Sequence, residues 1–374
     1  MNQAAGAWRQ CERCVMDTSD PDITFSAEGF CNHCTDYFDR LAHLSYRGAE
    51  SDRQLEALVE RVRRAGRGRD YDCVVGISGG VDSCYVAHLA RTLGLRPLAV
   101  HMDNGWNSDT AVLNIKRVAD HLGIDYRSWV VDWDEFRDLQ LAFLRASVPE
   151  IETPTDMAIP GALHRIAAEH GVRFIASGGN YATEGILPAA WHYNAKDLKY
   201  LRAIHRRFGS GRLATFPTFG WREEAYFKLA RGIRLIYPLN HVPYSREEAT
   251  LLLQRETGWE DYGGKHYESR ITGFVQSYVL PEKFGIDYRR ATLSTQICAG
   301  EVGRDEALAV LETSPYDDAR VAREKEYVAK KFEIGLGELE AILAEPPRSW
   351  RDYPNDRGKL ELLYGVYRRY FSRR

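Results

Sequence analysis

The stretch CVVGISGGVDS, residues 73–83, decides the fold. Its apolar run, Cys73 to Ile77, has the length and branched content of a buried strand. The run stops in Ser78-Gly79-Gly80, and a helical pattern opens at once with Val81-Asp82-Ser83. Glycines let the main chain turn tightly and aim successive N–H groups inward, and a helix N-terminus adds partial positive charge. Such a turn is an anion cradle, with Ser78 and Ser83 as hydroxyl donors. Asp82 would be repelled by a bare phosphate, so it is either an N-cap or a group facing Mg²⁺. A plain strand-to-helix turn with a serine cap is the competing reading. The spacing excludes both G-x-x-x-x-G-K-[ST] and G-x-G-x-x-G phosphate loops.

Outward from this loop the pattern alternates. RPLAVHMDN (96–104) predicts a second strand, DYRSWVVD (125–132) a third, VRFIASGGN (172–180) a fourth and IRLIYPLN (233–240) a fifth. Helical patterns fill 82–93, 108–122, 134–146 and 160–170. Before the first strand, 51–64 has helical spacing, with Ser51 as the expected N-cap and Gly66-Arg67-Gly68 as its end. Strands separated by helices predict an α/β fold, a doubly wound parallel sheet with helices on both faces. From Ser245, an expected helix start, the chain reads as helical, with candidates at 303–314, 316–331 and 335–345. The expected organisation is a cysteine module (1–50), an α/β domain (51–244) and a mostly helical C-terminal region (245–374).

S-G-G-x-D-S after the first strand of such a sheet resembles the PP-loop of the ATP pyrophosphatase superfamily, with its adenine nucleotide alpha hydrolase-like fold. Members cleave ATP to AMP and pyrophosphate while adenylating a substrate oxygen. Ligands in open α/β sheets sit beyond the carboxyl ends of the strands. Ser78, Gly79, Gly80, Asp82, Ser83, Asp103, Asn104, Gly178 and Asn180 are therefore the expected ATP and pyrophosphate contacts, with Glu184 just beyond as a catalytic candidate. Polar loop tips are the alternative for Glu184 and the residues that end the second and fourth strands. SGGN at 177–180 departs from the family in lacking an acid at its third position, which puts a metal role there in doubt.

Cys11-x2-Cys14 and Cys31-x2-Cys34 have the spacing of a zinc ribbon or knuckle, two thiolates per tight turn. A closed four-thiolate site has no open position and is structural; a rubredoxin-like iron site is the second reading. His33 is a bystander, Cys73 and Cys84 are core, and Cys298 has no recognisable partner. The chain has 374 residues and a formal net charge of −3, from 50 basic and 53 acidic residues. That balance argues against gripping long nucleic acid by bulk charge. The start MNQAAGAWRQCERC has no signal-peptide pattern, and no apolar run is long enough to span a bilayer. The expected compartment is the cytoplasm.

With the four-cysteine module, SGGVDS, HMDNGW and YPLN, the segments YGGKHYESR (262–270), ITGFVQSYVLPEKFGID and ATLSTQICAGEVGRDEAL resemble the N-acetyl sugar amidotransferase family of bacterial O-antigen and pseudaminic acid biosynthesis. The resemblance runs from about Cys11 to about Leu308. It implies conversion of a sugar acetamido group, on a nucleotide-activated N-acetyl sugar, to an acetamidino group with ATP, Mg²⁺ and ammonia. Asp82, Lys265, His266 and Glu184 are the catalytic residues expected on that basis: Lys265 adds a cation beside departing pyrophosphate, and His266 does the same or shuttles a proton. Glu268 is a candidate for receiving ammonia or orienting the lysine, against a reading of Glu268 and Arg270 as a solvated turn. No glutaminase nucleophile is visible. The family takes ammonia from a separate glutaminase resembling that of imidazole glycerol phosphate synthase, sometimes with a cyclase-like companion. A basic stretch, 194–212, is a candidate for the sugar nucleotide's diphosphate or a solvated helix. Asp156 and Trp191 are candidates for sugar contact, with packing the plainer role for Trp191. The rival reading is a tRNA-thiolating PP-loop enzyme.

Overall fold

The computed structural model describes residues 8–44, 48–262 and 268–371. A five-stranded parallel sheet, ordered β3-β2-β1-β4-β5, holds β1 (Cys73–Gly76) at its centre. β2 (Pro97–Asp103) and β3 (Asp125–Val130) lie on one side; β4 (Phe174–Ala176) and β5 (Arg234–Ile236) lie on the other. All four pairings are parallel, with Val75 opposite both Ala99 and Ala176. This is the doubly wound α/β fold that the strand–helix alternation predicts. Because β1 and β2 are covered on both faces, their apolar runs do not alternate with polar residues. The β3 edge, exposed along one side, does alternate.

Side-chain period two separates the core into two layers. Val74, Leu98, Val100, Met102 and Ile175 join the larger cluster, which extends into the C-terminal helices. Cys73, Val75, Ile77, Ala99, Phe174 and Ala176 face the smaller one, closed by Leu253 and Trp259. Cys73 and Cys84 are core residues, as expected.

Local signals set most helix ends. Ser108 caps Asp109–Leu122 by accepting from Ala111 N, and left-handed Gly123 ends it. Ser245 caps Arg246–Thr257 by accepting from Glu248 N. The three later helices are Arg304–Glu312, Asp318–Phe332 and Leu336–Ala344, within two residues of expectation.

Two expectations are corrected. Ser51 is not an N-cap: the helix Ala49–Ala65 begins earlier, and Ser51 is buried with its hydroxyl donating to His241 O at 2.5 Å. The helix expected from 160 begins at Thr153 and runs through Pro160 to Glu169. Pro154 takes the first turn, where its missing N–H is no loss, and packing carries the helix past the second proline.

The N-terminal module docks on the C-terminal region. Val15 N donates to Ser294 Oγ at 3.2 Å, and Arg290 pairs with Asp17 at 2.8 Å. Arg304 donates to the carbonyls of Cys11 and Cys14 at 3.0 and 3.2 Å. Among the described residues no helix is long and apolar enough to cross a membrane.

Candidate active site

The strand order reverses between β1 and β4, and their carboxyl ends open the crevice where ligands of such sheets sit. A cleft of about 2050 Å³ begins there. The sequence builds its floor from the β1 loop. Gly79 adopts φ +87, and a Cβ on it would lie 2.4 Å from Ala111 O. Only glycine fits both demands. Ser83 Oγ accepts from Ser78 N at 3.1 Å, lies 3.1 Å from Ser78 Oγ, and donates to Gly80 O at 3.0 Å. Trp259 Nε1 donates to Gly79 O at 2.9 Å, fixing the turn from outside. From β4, Gly178 approaches so closely that a Cβ would sit 2.8 Å from Ser83 N.

Asp82 is not an N-cap. Gly80 holds that position without a side-chain bond, while Asp82 accepts from the Tyr244 hydroxyl and lies 3.6 Å from the Arg246 guanidinium. Its carboxylate faces the cleft, as do Ser78, Gly80, Ser83, Asn104, Gly178 and Glu184. Gly79, Asp103 and Asn180, also expected contacts, are not among the residues that line the cleft. Asp103 accepts from Gly105 N at 2.9 Å and Asn107 Nδ2 at 3.0 Å. Asn180 caps the helical turn Tyr181–Glu184, accepting from Thr183 N at 2.9 Å. Asn104, 3 % exposed, bridges to Thr155 Oγ1 at 3.1 Å. Lys265 and His266 lie outside the described residues.

Glu268 is not part of a solvated turn. It lines the cleft beside Gly80, where Tyr262 also sits; burial and the Glu268 charge push the Tyr262 hydroxyl well above its usual range. Arg270 is engaged bidentately by Glu324, with Nη2 at 3.0 Å. His101 Nδ1 lies 2.9 Å from Ile77 O and Nε2 lies 3.0 Å from Asn107 Nδ2. Burial lowers its pKa, and the ring acts as a strut between β1 and β2. Sequence reasoning singled out none of Tyr244, Arg246, Tyr262 and Trp259, although Tyr262 opens the YGGKHYESR segment.

The four cysteines of the N-terminal module converge. Cys11, Cys14, Cys31 and Cys34 are buried, with their sulfurs within 4.8 Å of one another. Separations are 3.8 Å for Cys11–Cys34, 3.7 Å for Cys14–Cys31 and 3.6 Å for Cys31–Cys34. A tetrahedron with Zn–S bonds of about 2.3 Å has edges of about 3.8 Å, so the donor set fits zinc. Cys34 N and Met16 N each approach a cluster sulfur at 3.4 Å. His33 instead pairs with Asp20 at 2.6 Å. Cys298, without a partner in the sequence reading, lies 3.8 Å from Cys34. The module also braces the site: Tyr37 stacks on Tyr181 at 5.4 Å and donates to Ala182 O at 3.0 Å, supporting the turn that carries Glu184.

Of the basic stretch 194–212, Lys196 alone of its lysines, arginines and histidine lines the cleft, paired with Glu224 at 2.7 Å. Lys199 and His205 turn to Asp356 and Asp138.

Comparison with known proteins agrees with this architecture in segments. Residues 268–367 match the family described as LPS biosynthesis protein WbpG-like, C-terminal domain, and residues 52–141 match NAD synthase. The tRNA-specific 2-thiouridylase MnmA of a Nitratiruptor species is 28% identical over 213 residues, 54% of this chain and 60% of that protein. The tRNA-specific 2-thiouridylase MnmA of Helicobacter hepaticus is 34% identical over 116 residues, 28% of this chain and 33% of that protein. The chain thus spans three fifths or less of the curated relatives it matches. Among solved structures, NMN synthetase from Francisella tularensis aligns at 14% identity over 77% of this chain and 98% of that one, with a TM-score of 0.38. The NH3-dependent NAD synthetase from Campylobacter jejuni aligns at 17% identity over 42% of this chain and 72% of that one, with a TM-score of 0.29. The two family matches, with the loop and sheet order on the page, support a WbpG-like protein of the ATP-utilising PP-loop superfamily.

Proposed function

We propose that this chain is an ATP-dependent amidotransferase that converts an acetamido group of a nucleotide-linked sugar to an acetamidino group, within bacterial surface-polysaccharide or nonulosonic acid synthesis. The observation that carries the reading is the β1 loop: a glycine turn held by Ser83 and Trp259 and packed against Ala111, opening into a cleft of about 2050 Å³. The WbpG-like match over 268–367 supports the polysaccharide setting.

An amide carbonyl is a poor electrophile, because nitrogen donation stabilises it and oxide leaves badly. In the proposed reaction the amide oxygen bonds to the α-phosphorus of ATP, the bond to the bridging oxygen breaks, and pyrophosphate leaves. Ammonia then bonds to the imidate carbon, the C–O bond breaks, and AMP leaves with the oxygen. The protein contributes position and charge complementarity. Ser78 to Ser83 hold the pyrophosphate end. Asp82, Glu184 and Glu268, all on the cleft wall, are oxygen donors suited to Mg²⁺, which when bound neutralises phosphate charge. Arg246, beside Asp82, lies where a phosphate would compete for it. Lys265 and His266 keep the roles expected of them: cation at the leaving group, and cation or proton shuttle. The cysteine cluster holds zinc structurally. Ammonia comes from a partner glutaminase similar to that of imidazole glycerol phosphate synthase, with or without a cyclase-like subunit, and the setting is cytoplasmic.

The MnmA matches favour a second reading, tRNA thiolation. None of the seven cysteines lines the cleft, so sulfur would have to be delivered from outside. Mass spectrometry separates the two. Purified protein with ATP, Mg²⁺, ammonium and a panel of UDP-N-acetyl sugars should yield AMP and a product about one dalton lighter, as expected when an amide oxygen becomes NH. AMP formation that requires tRNA and a sulfur donor, with every sugar unchanged, would overturn the amidotransferase reading.

A further inference from the structure

The cleft has a further stretch of wall, built from elements other than the loop. It comes from residues 149–156, the 191–193 segment and the helix Tyr288–Ala299. Glu150, 8 % exposed, accepts from the Tyr200 hydroxyl at 3.2 Å and has no ion pair among the described residues. Asp156 stands exposed on the first turn of the helix Thr153–Glu169. Trp191 is 2 % exposed, and its indole N–H finds no acceptor among the described residues. Its ring lies 5.7 Å from that of Tyr288. Glu150, Asp156, Trp191 and Tyr288 all line the cleft, and burial, then the charges of Asp156 and Glu150, raise the Tyr288 hydroxyl.

Carboxylates accept hydrogen bonds from hydroxyl and amide N–H groups. A buried N–H without an acceptor is rare in folded proteins, and a ligand oxygen is one way to complete it. Aromatic faces suit the apolar CH face of a pyranose ring. We propose that Glu150, Asp156, Trp191 and Tyr288 form the subsite for the acceptor sugar ring. The carboxylates accept from its hydroxyl or amide groups, the Trp191 N–H donates to the acetamido oxygen or a ring oxygen, and the aromatic pair meets the ring face. This rests on the amidotransferase reading and adds the place and polarity of the acceptor. The sugar lies against this stretch of wall, with its amide oxygen directed toward the α-phosphate.

Calorimetric titration of the full chain tests it. The probes are a series of UDP-N-acetylhexosamines and, separately, α,β-methylene-ATP with Mg²⁺. Trp191→Phe keeps the ring and removes the N–H; Asp156→Asn keeps the shape and removes the charge at an exposed position. Each should weaken the best-bound UDP-N-acetylhexosamine roughly fivefold to tenfold, the scale of one hydrogen bond, and leave the ATP analogue unchanged. Should Trp191→Phe fold poorly by circular dichroism, Asp156→Asn carries the test. Sugar affinity equal to wild type in the folded variants overturns the subsite while the amidotransferase reading stands. A loss confined to the ATP analogue makes this an adenosine site and also overturns it. A wild-type chain that binds the ATP analogue but no UDP-N-acetylhexosamine removes both the subsite and the reading beneath it.

Discussion

Ser83 accepts the Ser78 amide and donates to the Gly80 carbonyl, so one hydroxyl closes the phosphate turn on both sides. Ser83→Ala should raise the KM for ATP about tenfold and lower stability by about 1 kcal/mol, measured by AMP release and urea denaturation. Asp82→Ala frees Tyr244 and Arg246 and removes a carboxylate from the cleft. AMP formation should fall at least about a hundredfold with the fold intact. Gly178→Ala puts a methyl group against the main chain at Ser83, where neither strand loop can yield. Destabilisation of about 1–3 kcal/mol is expected, together with weaker nucleotide binding. Ser78 to Ser83 were legible in the sequence because the turn is made of neighbours. Tyr244 and Trp259 act on the same turn from 162 and 180 residues away, and nothing in their local sequence encodes that contact.

The helix Thr153–Glu169 shows the same limit at the scale of an element. Pro160 reads as a boundary because it lacks an N–H. The structure carries the helix back to Thr153, so that its N-terminal turn and the preceding loop bring carboxylates to the cleft. Glu152 accepts from Gln140 at 2.9 Å and Thr272 at 2.5 Å, both neutral donors. Burial raises Glu150 and Glu152 to about 7 each, with Asp156 adding repulsion at Glu152. Carboxyls raised above the unfolded value, about 4.3, bind more protons in the folded than in the unfolded state between those two limits. Stability from these groups is therefore fully present below about pH 4 and is lost as pH rises from there through about 7. Glu152→Gln should flatten that decline, read as a smaller fall in Tm between pH 5 and pH 8 than in the wild type. The parallel order of the sheet was legible from strand–helix alternation; the shortness of β4 and β5, three residues each, was not, because their ends are set by loops that converge on the cleft.

Across the whole molecule, the cysteine module is joined to the site it does not line. On the zinc reading, a chelator or Cys31→Ser should release one zinc per chain by mass spectrometry and lower Tm. It should also weaken nucleotide binding, because Tyr37 would no longer hold the turn from Tyr181 to Glu184. Unchanged nucleotide affinity in the metal-free chain would show that the brace is not needed. The two C-x2-C pairs announced the cluster by their spacing, but Cys298, 264 residues from Cys34, was brought there by tertiary packing alone. The same packing bears on how the protein is made. Cys11 to Asp17 rest on Arg290, Ser294 and Arg304, so this segment finds its seat only once residues about 280 positions downstream are present. Until then the module's four thiols lack the packing that buries them in the folded chain, so refolding of the purified chain should recover less protein when the thiols are oxidised first.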